Sequence, residues 1–209
     1  VQYKSKRSIA SRGYYEMVTW SFMSSKFAKF FNQYENLVKI DNPINSDMDV
    51  MRPSIIPNLI SSIKKNQARY INNASIFEVG PQYEDYTING QHIMATGIKY
   101  GVENQNSWNE TNKNVDFYDI KSDVFSMFLM NNVPLNNLKL DKNAPDWYHP
   151  GKSCTIKIGN KVLGFMGELN PSITNIFEIK TNVCAFEIFL NNLEQFNLSS
   201  ITKKSFNIN

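Results

Sequence analysis

His149 is the residue whose neighbours most strongly suggest chemistry, because it directly follows Trp147 and Tyr148. An imidazole beside two aromatic rings could serve as a general base or form part of a platform on which nucleic acid bases stack. The sequence has no serine or cysteine that His149 must activate, since the nearby Cys154 is predicted to lie in a buried strand. Three interpretations stay open: a structural turn entering a sheet, which is preferred, a subunit contact, or a substrate contact.

The number and placement of basic residues limit which anionic ligands the chain could bind. No arginine follows Arg69 in the chain of 209 residues. Lys64, Lys65 and Arg69 fall on one predicted helix and are interpreted as its solvated face. The net charge of +3 permits contact with nucleic acid but does not indicate it, because phosphate-binding proteins concentrate lysine and arginine on one surface.

Histidine and cysteine give no sign of a metal site. His92 and His149 are the only histidines, and neither has a second ligand at metal-binding spacing. Cys154 and Cys184 are interpreted as small buried thiols in a reducing compartment. With no signal peptide and no apolar run near the ~20 residues of a membrane span, a cytoplasmic protein is expected.

The elements that must position these residues are predicted from apolar spacing and turn residues. They form an α+β architecture, an antiparallel sheet of hairpins with helices packed on its outside. The predicted helices cover residues 3–12, 26–31, 55–70, 119–131, 171–177 and 190–196. The predicted strands cover residues 16–22, 37–40, 74–83, 91–100, 138–140, 153–158, 162–168 and 183–189.

Local signals refine this outline. Asn89-Gly90 predicts a tight hairpin turn, and Ser54 is expected to cap the helix at 55–70. Ser24 or Ser25 is expected to cap the helix at 26–31. The polar segment 107–114 is predicted to be a mobile loop.

Arg52 is expected to fix the loop before Pro53. The local candidates for its ionic partner are Asp47 and Asp49. If such a pair is at least partly buried, its loss costs about 1–3 kcal/mol.

Four motifs occur in a specific order. They are Val50-Met51-Arg52-Pro53-Ser54, Phe77-Glu78-Val79-Gly80-Pro81, Trp147-Tyr148-His149-Pro150-Gly151 and Gly167-Glu168-Leu169-Asn170-Pro171. Together they resemble the synthetase-like core of the bacterial phenylalanyl-tRNA synthetase β subunit, over residues 6 to 196. The resemblance implies the fold of a class II aminoacyl-tRNA synthetase, an antiparallel sheet flanked by helices.

The first class II motif resembles residues 12–20 and builds a subunit interface in that family. The candidate interface residues are therefore Arg12, Tyr14, Tyr15 and Trp20, with core packing as the alternative for the aromatic rings. Trp20 replaces the proline that is usual there.

The other two class II motifs have lost their cations. Motif 2 resembles residues 76–85, and Glu84 stands where the arginine that binds the ATP phosphates belongs. A carboxylate there repels a polyphosphate by several kcal/mol at low dielectric. Residues 159–170 lack both the Gly-x-Gly and the arginine of motif 3. No catalytic residue, bound cofactor or metal is therefore expected in this domain.

The resemblance also implies a larger assembly. The family is an (αβ)₂ heterotetramer that charges tRNA(Phe) with phenylalanine, using ATP and Mg²⁺ in the holoenzyme, and its β chain carries editing, tRNA-binding and Mg²⁺-binding modules. Residues 1–198 are expected to be the core domain, and residues 199–209 a linker toward a C-terminal ferredoxin-like anticodon-binding module.

Three function classes remain. The preferred one is a non-catalytic assembly domain supporting an α subunit. The second is a regulatory class II synthetase paralogue without ligase activity, against which the motifs after Asp146 argue. The third is a small-molecule enzyme with a novel site, which the lack of clustered acids and bases disfavours.

Overall fold

A computed structural model describes residues 1–33, 37–102 and 113–198. The α-helices in these ranges are α1 (Gln2–Ser11), α2 (Ser25–Ala28), α3 (Ile56–Gln67), α4 (Phe117–Met130), α5 (Pro171–Ile176) and α6 (Glu194–Leu198). The strands are β1 (Tyr15–Glu16), β2 (Phe22–Met23), β3 (Val50–Met51), β4 (Ala74–Tyr83), β5 (Gln91–Tyr100), β6 (Leu138–Asp141), β7 (Tyr148–Ile158), β8 (Lys161–Leu169) and β9 (Val183–Phe189). Single 3₁₀ turns cover Lys29–Phe31, Leu135–Asn137 and Leu190–Leu193.

One sheet organises the described residues, with strands in the order β1-β4-β5-β9-β8-β7-β6. Every neighbouring pair in it is antiparallel except β1 with β4. The two predicted hairpins, β4–β5 and β7–β8, both form, and β9 joins them. The predicted α+β architecture with a mainly antiparallel sheet is confirmed.

The two faces of the sheet carry two apolar cores. Successive side chains of a strand point to opposite faces, so Phe77 enters one core and Ile76 the other. α1 and α4 cover the first face through residues such as Ile9 and Val124. α3 and α5 cover the second face.

α3 follows its apolar pattern closely. The five predicted positions have no accessible surface and face the sheet: Ile55, Ile56, Leu59, Ile60 and Ile63. Pro57 lies in the first turn, where its missing N–H costs little. The Ser54 hydroxyl accepts a hydrogen bond from the Ile56 N–H at 3.1 Å, but α3 begins one residue later than predicted, so its N-cap is Ile55, which makes no side-chain cap bond.

Two other helix starts differ from the prediction. α4 begins two residues before 119, because Asp116 and Asp119 form a reciprocal capping box. α2 has no side-chain cap from Ser24. Instead, the carboxylate of Asp49 accepts a hydrogen bond from the Ser25 N–H at 2.7 Å, so a residue distant in sequence replaces the local cap.

The strand predicted at residues 16–22 is wrong in its middle. The chain pairs with β4 only at β1, where the Met17 N–H still bonds the Phe77 carbonyl, and pairs with β3 only from Phe22. Between these points the segment crosses from the seven-stranded sheet to a separate two-stranded sheet of β2 and β3. The predicted strand at 37–40 is also reduced, to a single bridge between Lys39 and Val50.

The predicted Asn89-Gly90 turn is replaced by a longer loop. β4 ends at Tyr83 and β5 starts at Gln91, and neither Asn89 nor Gly90 has the positive φ that a tight hairpin turn needs. The Asp85 carboxylate accepts a bond from the Thr87 N–H and organises the loop internally. By contrast, the turn between β7 and β8 is tight, and Gly159 in it has φ +59.

Two predictions lie outside the described residues: the linker at 199–209 and most of the loop at 107–114. Among the described helices, none combines the length and the apolar character needed to cross a membrane.

Candidate functional site

The end of α1 is fixed to the sheet by a buried ionic cluster around Asp123. Its carboxylate accepts hydrogen bonds from Arg12 Nε at 2.7 Å, from the Tyr14 hydroxyl at 2.8 Å and from Lys99 Nζ at 2.6 Å. Burial, followed by the nearby Asp123 charge, raises the pKa of Tyr14 well above its ordinary value. Lys99 also lies over the Tyr14 ring at 5.1 Å. Asp123 and Lys99 carry no sequence signal for this role, since they come from a distant helix and strand.

This cluster divides the candidate interface residues. Tyr14 is only 4% exposed and its ring packs edge-on against Phe186, so core packing accounts for it and a contact with another chain does not. Arg12 is held by Asp123 and partly exposed. Ile9 of the preceding helix α1 is buried as well.

β1 and the segment after it leave three apolar side chains in solvent. Tyr15 is 74% exposed, Val18 90% and Trp20 69%. The intervening Thr19 turns inward, and its hydroxyl donates to Glu78 at 2.6 Å. Asn58 of α3 fixes the backbone by donating to the Trp20 carbonyl at 2.8 Å. The segment is therefore anchored by its polar groups while its apolar groups face outward.

Arg52 lies inside the protein, on the sheet. It is 1% exposed and pairs with Glu78 of β4 at 2.8 Å, so the prediction of Asp47 or Asp49 as its partner is wrong. Its guanidinium also donates to the Pro81 carbonyl at 2.8 Å and to the Thr19 hydroxyl at 2.9 Å. A strand carboxylate outcompetes the loop carboxylates because it is already buried and would otherwise lack a cation.

Gly80 makes room for this arrangement. A Cβ at Gly80 would lie 2.6 Å from Nη2 of Arg52, closer than real side chains approach. The missing side chain at Gly80 therefore leaves space for the Arg52 guanidinium on the surface of the sheet.

Glu84, at the place of the motif 2 arginine, pairs with a histidine. Its carboxylate lies 3.0 Å from Nε2 of His92 on the adjacent strand, and the His92 ring contacts Phe189 edge-on. His92 has no second ligand at metal-binding spacing in the sequence, but the fold gives it a carboxylate partner. Two contacts therefore hold the base of the loop between β4 and β5. One is the side-chain pair of Glu84 and His92, and the other is the backbone bond from the Glu84 N–H to the Gly90 carbonyl.

Glu187 of β9 is the centre of a second buried polar cluster. Its carboxylate is surrounded by four neutral donors, the hydroxyls of Ser54 and Tyr148, the Gln82 amide and the Trp147 indole N–H, at 2.6 to 3.2 Å. Burial is the main cause that raises the pKa of Glu187, while the four hydrogen bonds lower it. The sequence reading missed this residue, although a glutamate inside the apolar strand Val183–Phe189 is the signal that could have found it.

The motif around His149 contributes two side chains to this cluster. Trp147 and Tyr148 turn into the core beside Glu187, while His149 Nδ1 accepts a hydrogen bond from the Gly151 N–H. As the interpretation of a structural turn predicts, the segment enters the sheet here, with β7 starting at Tyr148 and its register shifting before Ser153. Cys154 and Cys184 are buried free thiols, as expected.

Little space remains between the Glu84–His92 pair and the Glu187 cluster. Glu84, His92, Gln82 and Glu187 line a cavity of about 30 Å³, closed by aromatic side chains that include Phe31 and Trp147. Ligand sites in proteins have volumes of about 300–1,000 Å³. This cavity is therefore about a tenth of the lower end of that range. Among the described residues no group of three or more His, Cys, Asp or Glu could hold a metal ion.

Comparison with known proteins identifies the family. The model of the phenylalanyl tRNA synthetase beta chain CLM domain matches residues 1–190. The phenylalanine–tRNA ligase beta subunit of Paramagnetospirillum magneticum is 38% identical over 185 residues, which are 88% of this chain and 23% of the relative. The beta subunit of Ehrlichia ruminantium is 36% identical over 204 residues, 97% of this chain and 26% of the relative. The chain thus spans about a quarter of the length of these relatives.

Solved structures establish the fold. A crystal structure of pyrrolysyl-tRNA synthetase from Desulfitobacterium hafniense superposes with a TM-score of 0.71 over 95% of this chain and 68% of that one. A second structure of that enzyme gives 0.70. At 13% identity these matches show a shared fold alone, that of a class II aminoacyl-tRNA synthetase. From the family match over residues 1–190 and the identity to its beta subunits, the chain belongs to the phenylalanyl-tRNA synthetase beta-chain family.

Proposed function

We propose that this domain is a non-catalytic assembly domain of a phenylalanine–tRNA ligase β subunit. It supports an α subunit that charges tRNA(Phe) with phenylalanine, in an (αβ)₂ heterotetramer of the cytoplasm. ATP and Mg²⁺ serve the α subunit, and this domain binds neither. The relatives, all β subunits, favour this function over a regulatory paralogue.

The observation that carries the proposal is the filled face of the sheet around Glu84. A synthetase fold that binds a nucleotide needs an open cavity with cations for the phosphates. Here Arg52 neutralises Glu78 of the same chain, and Glu84 engages His92. These groups are satisfied internally, so they support a scaffold rather than a substrate site.

Titration calorimetry with Mg·ATP tests the absence of nucleotide binding. The β chain without α should give no heat, whereas α should bind. A dissociation constant below about 100 μM for the β chain, which corresponds to about −5.5 kcal/mol, would contradict a dead site.

Copurification tests the assembly function. The complete β chain and a tagged α subunit should elute together as one heteromeric species in size-exclusion chromatography. Separate elution of the two chains at about 50 μM would remove assembly with α as the function and favour the regulatory paralogue.

A further inference from the structure

A solvent-exposed groove runs along the face of α3 that does not pack on the sheet. It consists of two adjoining cavities of about 690 and 410 Å³, which share Phe27, Ser61, Lys65 and Phe177. No other element of the described residues covers them, and Ser61 and Lys65 are exposed.

The α3 wall of this groove has the periodicity of a helix-packing surface. The lining positions Pro57, Ser61, Lys64, Lys65 and Ala68 recur at steps of three or four residues and form one stripe. At a rise of 1.5 Å per residue this stripe is about 16 Å long, or three helical turns. Serine and alanine on the stripe let a second helix approach to an axial distance of about 8–10 Å.

The opposite wall is apolar. The partly exposed ring of Phe27 rests on the buried Phe177 with ring centroids 5.0 Å apart, and Ile176, which is 38% exposed, extends the apolar surface at one end. The exposed Val18 and Trp20 extend it at the other end. The groove is therefore continuous with the exposed segment that holds the candidate interface residue Trp20.

The rim of the groove is mainly cationic. Lys26 stands on the α2 side, and Lys64 and Lys65 stand on α3. Lys64 is paired with Glu178 at 2.9 Å, whereas Lys26 and Lys65 have no ionic partner within the described ranges. Asp47 is the acidic residue of the lining. A partner helix with carboxylates on both sides of an apolar stripe complements this pattern.

We propose that this groove receives an acidic amphipathic helix of the α subunit. The apolar stripe of that helix lies against Phe27 and Ile176, and its flanking carboxylates meet Lys26 and Lys65. The inference rests on the proposed function, because it names the part of this domain that the α subunit contacts.

Site-specific photocrosslinking tests the occupant. The complete β chain with benzoylphenylalanine at position 61 is purified together with α and irradiated, and the adduct is mapped by mass spectrometry. An adduct with an α peptide that is helical and rich in Asp or Glu supports the proposal. An adduct with tRNA, with the β chain itself, or none in an intact complex overturns it.

Charge reversal tests the complementarity. Lys26→Glu combined with Lys65→Glu should weaken association with α about tenfold at low salt, with a smaller effect at high salt. The control is Lys161→Glu, an exposed lysine at the β7–β8 turn, which should change association less than about twofold. If the double variant binds α as the unchanged chain does, the groove is not the contact, while the proposed function stands. If the unchanged chain does not bind α, both fail.

Discussion

Two regions of this domain differ in which side chains they bury and which they expose. On the face of the sheet near Glu84, charged side chains are buried and find their partners within the chain, as Arg52 does with Glu78. In the segment after β1, the apolar side chains Val18 and Trp20 stay in solvent while the polar Thr19 turns inward.

The difference separates residues that act on stability from residues that do not. The face of the sheet near Glu84 is part of the hydrophobic and ionic core, so its residues act on stability. The segment after β1 keeps apolar side chains whose exposure has no benefit for the isolated domain. Variants on the first region should therefore change unfolding, and variants on the second should change association.

The largest effect is expected from Arg52→Ala. Removing this cation leaves the Glu78 carboxylate buried and unpaired, which costs about 3–5 kcal/mol. Urea unfolding should show a matching fall in the free energy of unfolding. The control Arg69→Ala removes an exposed arginine and should cost less than about 0.5 kcal/mol.

Gly80→Ala should disturb the Arg52–Glu78 pair while Arg52 itself is retained. The new Cβ would overlap Nη2 and displace the guanidinium. In an Arg52→Ala background the same glycine substitution should cost much less, because the atom that it displaces is gone. Additive costs of the two substitutions would show that they act on independent sites.

Glu187→Gln should cost about 1–3 kcal/mol at low pH, since the amide nitrogen faces donors that need an acceptor. The pKa of Glu187 is raised above its ordinary 4.5, so the folded chain holds this proton after the unfolded chain has lost it. The unchanged domain therefore loses stability as the pH rises from about 4.5 through the folded pKa, and the glutamine variant lacks this loss. Unfolding from pH 4 to pH 8 should show the gap narrowing, and a gap that widens would contradict the raised pKa.

Thr96→Val should have a small effect of the opposite sign. Thr96 lies between Glu78 and Glu187 in the strand register, is fully buried, and its hydroxyl has no hydrogen-bond partner within the described residues. Replacing the hydroxyl by a methyl group of the same shape should raise the free energy of unfolding by up to about 1 kcal/mol, measured by thermal unfolding. Destabilisation by more than that amount would mean that the hydroxyl holds an internal water.

The sequence carries the local parts of this architecture well. α3, β4, β5 and β9 follow from apolar period and turn residues, because each pattern is contained within one element. The strand predicted at 16–22 failed because its β-branched and aromatic residues fit a strand, whereas tertiary bonds from Asn58 and Phe77 determine the actual path.

The site depends on contacts that a linear reading does not contain. Arg52 was correctly expected to have a carboxylate partner, but nearness in sequence favoured Asp47 and Asp49 over Glu78, which only the register of β4 brings close. Tyr14 and Tyr15 are adjacent aromatics, and strand alternation sends one into the core and the other outward. Sequence type alone could not distinguish the buried ring from the candidate contact.

The smallest effect on stability is expected from Tyr15→Ala and Trp20→Ala. Both rings are mostly in solvent, so each substitution should change the free energy of unfolding by less than about 0.5 kcal/mol. If these rings are anchors for the α subunit, each should nevertheless weaken association by about 2 kcal/mol, roughly thirtyfold, because aromatic side chains dominate the energy of many interfaces. Tyr118→Ala on α4, which removes a ring that is 70% exposed, is the matched control and should leave association unchanged. Sedimentation of the complete β chain with α measures the association. If all three variants bind α with the same affinity, Tyr15 and Trp20 are ordinary surface residues.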